Sequence, residues 1–317
     1  MLQKDRQAAF DFARYIDERR ARLEASLECF LPSAEPLKLY EAMRYSVLSG
    51  GKRLRAVLAM ASAEAVQADE SLNGEDPVEL VLPLCCAIEM VHAMSLIHDD
   101  LPCLDNDDLR RGKPTNHKVF GEAMALLAGD GLLMMASEVL LSRTSKKVPP
   151  QALLDVALEL CRATGPSGMV GGQVLDMEFT GAAGSVAVDE AVVSAIHKSK
   201  TGALIRFSLW SGGRLLGASA KQLESLSRLG EIVGLAFQIT DDLLDITGSA
   251  ESLGKTPGKD QASNKATWIS VFGEGGARKK LKDMEAEGIQ LIKESSLDNP
   301  ISPTLTSLLQ YSINREK

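Results

Sequence analysis

Acidic side chains crowd one short stretch of the sequence, residues 98–112, which reads HDDLPCLDNDDLRRG. It contains the aspartates Asp99, Asp100, Asp105, Asp107 and Asp108, followed directly by Arg110 and Arg111. Carboxylates at this density repel one another unless a cation lies among them. Oxygen ligands of this kind suit Mg²⁺, which keeps several waters and usually binds one or two carboxylates together with substrate phosphates.

A second acidic cluster lies far along the chain, where ITDDLLDITG supplies Asp241, Asp242 and Asp245. Asp241 and Asp245 are four residues apart, so on a helix they share a face. An isolated Asp-rich stretch is typically a solvated loop. A second cluster interleaved with leucine and isoleucine favours a site instead, because charged side chains are rarely placed on apolar helices without a partner.

The two acidic clusters differ in geometry. Asp99 and Asp105 are six residues apart, so on a straight helix they would point in roughly opposite directions. Pro102 lies between them and removes a backbone donor, which predicts that the helix ends near it and that the chain turns Asp105 back toward Asp99. A calcium loop is excluded, because the positions that need Gly and Glu, counted from Asp105, hold Arg110 and Asn116.

Basic side chains are the second chemical feature. The segment GGKRLR, residues 50–55, resembles a phosphate loop only superficially, because such a loop follows a strand and has Ser or Thr after its lysine. Lys52 and Arg55 remain as two cations at a helix start, which suits a diphosphate. His92 lies two helical turns before Asp99 and shares its helix face.

Other polar side chains are weaker candidates, and each is compatible with a structural or solvated role. They are Gln173, Asp176, Lys200, Thr201, Gln238, Lys255, Lys259 and Lys265. The last three lysines lie in a Gly- and Lys-rich segment after the second acidic cluster, where a closing loop could bring ammonium groups onto a phosphate.

Composition limits the class of protein. The chain has 317 residues, of which 45% are hydrophobic and 25% charged, as in an ordinary globular protein. Its net charge of −8 argues against a nucleic-acid partner, because no general basic field exists to engage phosphate backbones.

Cysteine usage and the apolar runs predict a cytoplasmic protein. The five cysteines form no CxxC pair, which indicates reduced thiols, and the four histidines show no zinc-site spacing. We see no signal peptide and no apolar run long enough to span a membrane. Location in the plastid stroma would require that a transit peptide had been removed.

Apolar spacing predicts helices throughout the chain and no sheet. The predicted helices cover residues 10–30, 37–48, 56–66, 78–101, 121–141, 151–163, 167–179, 189–216 and 221–246, and two weaker ones follow. Residues 113–120 are predicted to be a connector. Because no linker or repeat divides the chain, we expect a single all-α domain over residues 1–317, a large helical bundle around a deep central cavity.

Together the motifs DDLPCLD, RRGKPTNH, GGKRLR, GQVLD, KTG and FQITDDLLD resemble the trans-isoprenyl diphosphate synthases, over about residues 40–265. The first motif has the DDxxxxD form of bacterial and plant geranylgeranyl diphosphate synthases. The resemblance implies an isoprenoid synthase-like fold, a homodimer, and Mg²⁺ as cofactor, with about three ions in each active site. It implies isopentenyl diphosphate and an allylic diphosphate as substrates.

The resemblance also implies roles for individual residues. The metal ligands would be Asp99, Asp105 and Asp241, with Asp100 and Asp245 in support. The ligands of isopentenyl diphosphate would be Lys52, Arg55, His92 and Arg111. The ligands of the allylic diphosphate would be Arg110, Lys200, Lys255 and Lys265, with Thr201 and Gln238 near the reacting carbons.

Product length depends on cavity depth. If the allylic head is tied to Asp99, the tail runs back along the preceding helix past Ser95, Met94 and Val91. The fifth position before the motif is aromatic in related bacterial farnesyl-forming enzymes, but here it is Met94, which is flexible and thinner than a ring. We therefore expect a twenty-carbon product, geranylgeranyl diphosphate, with farnesyl diphosphate synthase as the alternative.

Two further alternatives are weaker. A non-catalytic partner subunit could dispense with metal ligands, whereas this chain keeps both acidic clusters. A terpene cyclase would have no need of a second diphosphate site at Lys52, Arg55 and Arg111. The chain departs from the family pattern at Ala56, where Pro is usual, and at Trp268-Ile269, where Tyr-Pro is usual; neither change removes a catalytic group.

Overall fold

The structure, a computed structural model, describes residues 10–66, 74–180, 189–247, 267–295, 297 and 302–315. Its elements in chain order are α1 (Phe12–Phe30), α2 (Leu37–Val47), α3 (Leu54–Ala65), α4 (Pro77–Asp99), β1 (Leu109–Arg110), β2 (Lys113–Pro114), α5 (Asn116–Phe120), α6 (Glu122–Arg143), α7 (Pro150–Thr164), α8 (Met169–Phe179), α9 (Glu190–His197), a π turn (Lys198–Gly202), α10 (Ala203–Leu215), α11 (Ala220–Thr247), α12 (Trp268–Glu294) and α13 (Ser302–Asn314). The all-α prediction is confirmed.

Buried apolar side chains from both halves of the chain join in one core. The helix α10 packs against α3, α4 and α11, and α6 packs along α4. The two helices that carry the acidic clusters, α4 and α11, are therefore both held by α10. The extent of the domain, residues 1–317, stays a prediction.

The helix α4 is the most buried of the long helices. It begins where the carboxylate of Asp76 accepts a hydrogen bond from the backbone N–H of Val78, with Pro77 in the first turn. Nearly every residue from Val78 to Met94 is buried, so this helix is apolar on all sides, as expected of a core helix. It ends at Asp99, which confirms the break predicted from Pro102.

Three local predictions were wrong. Two-residue strands pair antiparallel, with Leu109 opposite Pro114 and Arg110 opposite Lys113, where no sheet was expected. The supposed connector over 113–120 contains β2 and the short helix α5. A strand of two residues is too short to show alternation, so apolar spacing carries no signal of it.

The third error concerns the long helix predicted over residues 189–216. It is divided into α9 and α10 by the π turn Lys198–Gly202. A π turn inserts one extra residue into a helix that otherwise continues, so the composition on either side still reads as helical. Its position matters because it contains Lys200 and Thr201.

Two helices, α4 and α6, are long and apolar enough to cross a membrane by length and composition alone, which is weak evidence of a span. The two helices differ in burial: α4 lies inside the core, whereas α6 leaves one apolar face exposed. That face, together with exposed apolar residues on the next two helices, presents Leu126, Leu127, Leu133, Met134, Leu141, Leu154, Leu158, Val170, Val174 and Met177.

Candidate active site

The end of α4 brings two of the predicted metal ligands together. The backbone N–H of Asp105 donates to the carbonyl oxygen of Asp99 over 2.8 Å, and that of Asn106 donates to Leu101 over 3.1 Å. Asn106 adopts a left-handed conformation, with φ of 48°, which asparagine tolerates better than most residues. The loop after Pro102 therefore folds back on the helix end, as the sequence predicts.

The hairpin of β1 and β2 supplies the cation beside this loop. Arg110 donates through Nε to the Asp100 carboxylate over 3.0 Å and through Nη2 to Asp107 over 3.3 Å. Asp100 is buried, and Arg110 compensates its charge. The structure thus makes Asp100 the residue that positions Arg110.

The surroundings of Asp99 disfavour its charged form. Burial raises the pKa of Asp99 to about 6, while the charge of Lys200 opposes the shift and Asp105 adds to it. A divalent cation would relieve this penalty by stabilising the charged form. The chemistry of this donor set therefore fits a hard cation.

In the second cluster, Asp241 is paired with a residue that sequence reasoning missed. Arg315 lies 2.6 Å from Asp241, donates to the backbone carbonyl of Phe237 over 2.8 Å, and stacks 3.6 Å above the Phe237 ring. Its side chain is only 5% exposed. The one available signal was a basic residue after the last amphipathic helix, and no spacing rule connects it to Asp241.

Asp242 faces a different set of partners. Its carboxylate accepts the backbone N–H of Trp268 over 2.7 Å and the side-chain amide of Gln238 over 3.3 Å, and His197 Nε2 lies 3.7 Å away. Burial lowers the pKa of His197 to about 4, so this imidazole is neutral at physiological pH. Asp242 therefore anchors the first turn of α12 to α11.

The predicted lysines of the segment after α11, Lys255, Lys259 and Lys265, lie outside the described residues. Asp245, the third acid of the second cluster, is buried on α11. Their predicted roles stay predictions.

The π turn presents Lys200 and Thr201 in two directions. Lys200 Nζ lies 2.5 Å from the Asp176 carboxylate on α8, and the Thr201 hydroxyl donates to the Gln238 amide oxygen over 2.9 Å. The helix α8 can approach the π turn closely because residue 172 is glycine. A Cβ there would lie 2.1 Å from the backbone nitrogen of Lys200. Asp176 thus has a defined function as the partner of Lys200.

The predicted ligands of isopentenyl diphosphate form one basic group. Arg55 and His92 lie 3.4 Å apart, and Arg111 donates to the Gly50 carbonyl and to the Ser49 hydroxyl. Among the described side chains, Nε of Arg55 is a buried donor with no hydrogen-bond partner. An anion would satisfy such a donor.

His92 is neutral in this setting. Burial lowers its pKa well below the ordinary value, and the neighbouring charges of Arg55 and Arg111 lower it further. The imidazole can therefore donate or accept a hydrogen bond without adding to the positive charge.

Electrostatic interactions join the basic group to the second acidic cluster. Lys52 and Arg55 both interact with Asp241 and Arg315, whereas Asp99 interacts with Lys200 and Arg110. Two sets of cations are therefore each placed beside one set of acids. This pairing is what a site for two diphosphates requires.

Mg²⁺ fits the carboxylates in one particular mode. Within the described ranges, no three His, Cys, Asp or Glu side chains form a complete metal cage. Mg²⁺ commonly completes its coordination with water and substrate phosphates. The predicted ligands Asp99, Asp105 and Asp241 are compatible with this mode, and their role as metal ligands stays a prediction.

Comparison with known proteins decides the family. Residues 36–293 match the family model described as Polyprenyl synthetase. The chain belongs to the polyprenyl synthetase family. Like the other trans-isoprenyl diphosphate synthases, it is a short-chain trans-prenyltransferase.

Individual members show how close the relation is. A dimethylallyltranstransferase of Fischerella ambigua (strain UTEX 1903) is 45% identical over 309 residues, covering 98% of this chain and 85% of the relative. A farnesyl diphosphate synthase of Geobacillus stearothermophilus is 44% identical over 275 residues, covering 86% of this chain and 89% of the relative. The crystal structure of a geranylgeranyl pyrophosphate synthetase from Pyrococcus horikoshii Ot3 superposes with a TM-score of 0.82 at 29% identity, covering 96% and 98% of the two chains.

Proposed function

We propose that this prenyltransferase forms geranylgeranyl diphosphate, by condensing isopentenyl diphosphate with dimethylallyl, geranyl or farnesyl diphosphate. The observation that carries the product length is Met94, which is buried on α4 five residues before Asp99. Val91, one turn earlier, is also buried, and Ser95 turns its hydroxyl back to the His92 carbonyl over 2.9 Å. This face of α4 therefore carries no aromatic ring that would stop a growing chain.

The reaction needs a departing diphosphate to be stabilised. Mg²⁺ held by Asp99, Asp105 and Asp241 would supply Lewis-acid stabilisation of that charge. Arg110 and Lys200 hold the allylic diphosphate at the first acidic cluster, and Lys52, Arg55 and Arg111 hold isopentenyl diphosphate. His92, being neutral, gives the second diphosphate a hydrogen bond.

Bond making then follows from the positions of the two substrates. The allylic C–O bond breaks with its electron pair leaving on the diphosphate, and the double bond of isopentenyl diphosphate forms the new C–C bond. A proton is lost from the carbon next to the resulting cation, and the departing diphosphate accepts it. In this proposal the Thr201 hydroxyl and the Gln238 amide oxygen, which are hydrogen-bonded to each other, lie near the cationic carbons and would stabilise them by their dipoles. Exclusion of water prevents hydrolysis of the cation.

The assay that tests this function combines the purified protein, Mg²⁺, labelled isopentenyl diphosphate and each allylic starter. We expect a twenty-carbon product by mass spectrometry. Met94→Tyr should shift the product toward fifteen carbons because a ring fills the space behind the allylic tail, whereas Met94→Leu, of similar volume, should not. A fifteen-carbon product from the unmodified enzyme would favour the farnesyl alternative. No turnover would favour the partner-subunit alternative.

We also propose a homodimer, formed through the exposed apolar face of α6. Its large apolar residues include Leu127, Leu133 and Met134, and an exposed apolar area of this kind typically marks an interface. Met134→Glu should reduce the mass measured by sedimentation from dimer to monomer. Lys279→Glu, at an exposed polar position on α12, should leave the mass unchanged. A cytoplasmic location stays a prediction.

A further inference from the structure

Arg53 is a buried arginine between two proposed substrate ligands. It follows Lys52 directly, precedes Arg55 by two residues, and immediately precedes α3. Its backbone is left-handed, with φ of 54° and ψ of 27°, a conformation that a non-glycine residue adopts only when its surroundings hold it there. Its side chain is only 3% exposed, and it borders the cavity that His92, Arg110 and Arg111 also line.

The side chain of Arg53 connects three helices. Nε donates to Glu24 on α1 over 2.8 Å, and Nη2 donates to the second oxygen of the same carboxylate over 3.3 Å. Nη1 donates to Glu89 on α4 over 3.1 Å, and Nη2 also donates to the carbonyl of Val47 at the end of α2 over 2.6 Å. The two-pronged contact with Glu24 fixes the guanidinium plane as well as its position.

The neighbours of these contacts are the proposed ligands of isopentenyl diphosphate. Glu89 lies three residues before His92, so the two share one face of α4. The segment before Arg53 contains Gly50 and Gly51, both with positive φ, and glycine leaves the backbone free to move. Without a fixed point at Arg53, the direction of Lys52 would depend on that flexible pair.

We propose that Arg53, held by Glu24 and Glu89, is a positioning residue for the isopentenyl diphosphate site, which it serves by fixing Lys52, Arg55 and His92 relative to one another. The proposal rests on the proposed function, in which those three residues bind the second diphosphate. The charge of Glu89 also contributes directly, since it favours the charged forms of Arg55 and Arg111. Four of the five N–H donors of Arg53 bond to Glu24, Glu89 and Val47, so Arg53 acts by positioning its neighbours.

The sharpest test changes Glu24, which is on α1 and forms hydrogen bonds with Arg53, while its charge also favours the charged form of Arg111. Its side chain is 34% exposed, so Glu24→Gln removes a charge without leaving a buried cavity. We expect the KM for isopentenyl diphosphate to rise about tenfold. The kcat and the KM for the allylic diphosphate should stay within about twofold of the original, because Arg110 and Lys200 are untouched.

A matched control separates positioning from general loosening of α1. Glu64→Gln breaks the contacts of Glu64 with Arg19 and Tyr15, which also tie α1 to α3 but lie away from Lys52. It should lower the melting temperature at least as much as Glu24→Gln, with both KM values unchanged. Equal KM changes in the two variants would overturn the proposal, as would a normal KM for isopentenyl diphosphate in Glu24→Gln.

A third variant distinguishes failure of this proposal from failure of the proposed function. Lys52→Ala should raise the KM for isopentenyl diphosphate by more than Glu24→Gln does. If Lys52→Ala raises that KM and Glu24→Gln does not, only the positioning role fails. If Lys52→Ala leaves it unchanged, the second diphosphate site is wrongly assigned and the positioning role fails with it.

Discussion

Two aspartates, Asp99 at the end of α4 and Asp241 within α11, are held in place in different ways. Asp99 is organised locally, since the loop returns Asp105 to it and the adjacent hairpin supplies Arg110 for Asp100. Asp241 depends on distant sequence, because its partner Arg315 comes from beyond α13. The first cluster is therefore assembled by a turn and the second by tertiary packing.

This difference predicts opposite effects on stability from the same substitution. In the first cluster burial penalises the charge of Asp99, as its raised pKa shows. In the second cluster the charge of Asp241 compensates a buried Arg315. Removing a penalised charge should stabilise the fold, whereas removing a compensating one should leave an arginine buried without its partner.

The largest expected effect is on turnover. Asp99→Asn and Asp241→Asn should each lower kcat by about 10³-fold or more, because each removes a ligand of the cation that stabilises the departing diphosphate. In the metal-free protein, calorimetry should show a raised melting temperature for Asp99→Asn and a lowered one for Asp241→Asn. Asp108→Asn, an exposed acid of the same loop paired with Lys118, should change neither property. Equal shifts in melting temperature for the first two variants would remove the distinction between the clusters.

The next effect is the dependence of Mg²⁺ binding on pH. The pKa of Asp99 is raised to about 6, so below that pH the folded protein carries a proton that Mg²⁺ must displace. The apparent dissociation constant for Mg²⁺ with a bound diphosphate should rise by up to about tenfold for each pH unit below 6. Titration calorimetry at several pH values measures this slope, and the slope should be shallower in Asp99→Asn, where only the protonation of the diphosphate remains. In the metal-free protein the same raised pKa favours folding as the pH falls, because the unfolded chain binds that proton less tightly.

The smallest effect concerns the partner of Asp241. Arg315→Gln should lower the free energy of unfolding by about 1 kcal/mol, since Asp241 is partly exposed and part of the attraction is screened by solvent. Urea denaturation measures the change. Arg278→Gln, which breaks an exposed pair with Glu274 one turn away on α12, should change the free energy by only a few tenths of a kcal/mol at most. A change in Arg315→Gln no larger than this would mean that Arg315 does not hold the second cluster.

The same comparison explains what the sequence could and could not predict. The turn after Asp99 was predictable because Pro102 acts on the backbone within a few residues of itself. The partner of Asp241 was not, because more than seventy residues separate Asp241 from Arg315 and only packing brings them together. The role of Asp242 in anchoring α12 was missed for the same reason.

Helical segments were predicted well because apolar spacing reports burial directly. The π turn and the hairpin were missed because neither changes that spacing over enough residues to be recognised. The sequence indicates no role for Arg53, because the partners that define its role are distant along the chain. Only its burial against Glu24 and Glu89 shows that it faces the protein.

The π turn makes this part of the chain sensitive to length. A π turn accommodates one extra residue while the helix on either side continues, so deleting one residue between His197 and Ala203 would restore a regular helix. That deletion would remove the widened turn from which Lys200 reaches Asp176 and Thr201 reaches Gln238. A substitution in this turn changes one side chain, whereas a change in its residue count would displace Lys200 and Thr201 together.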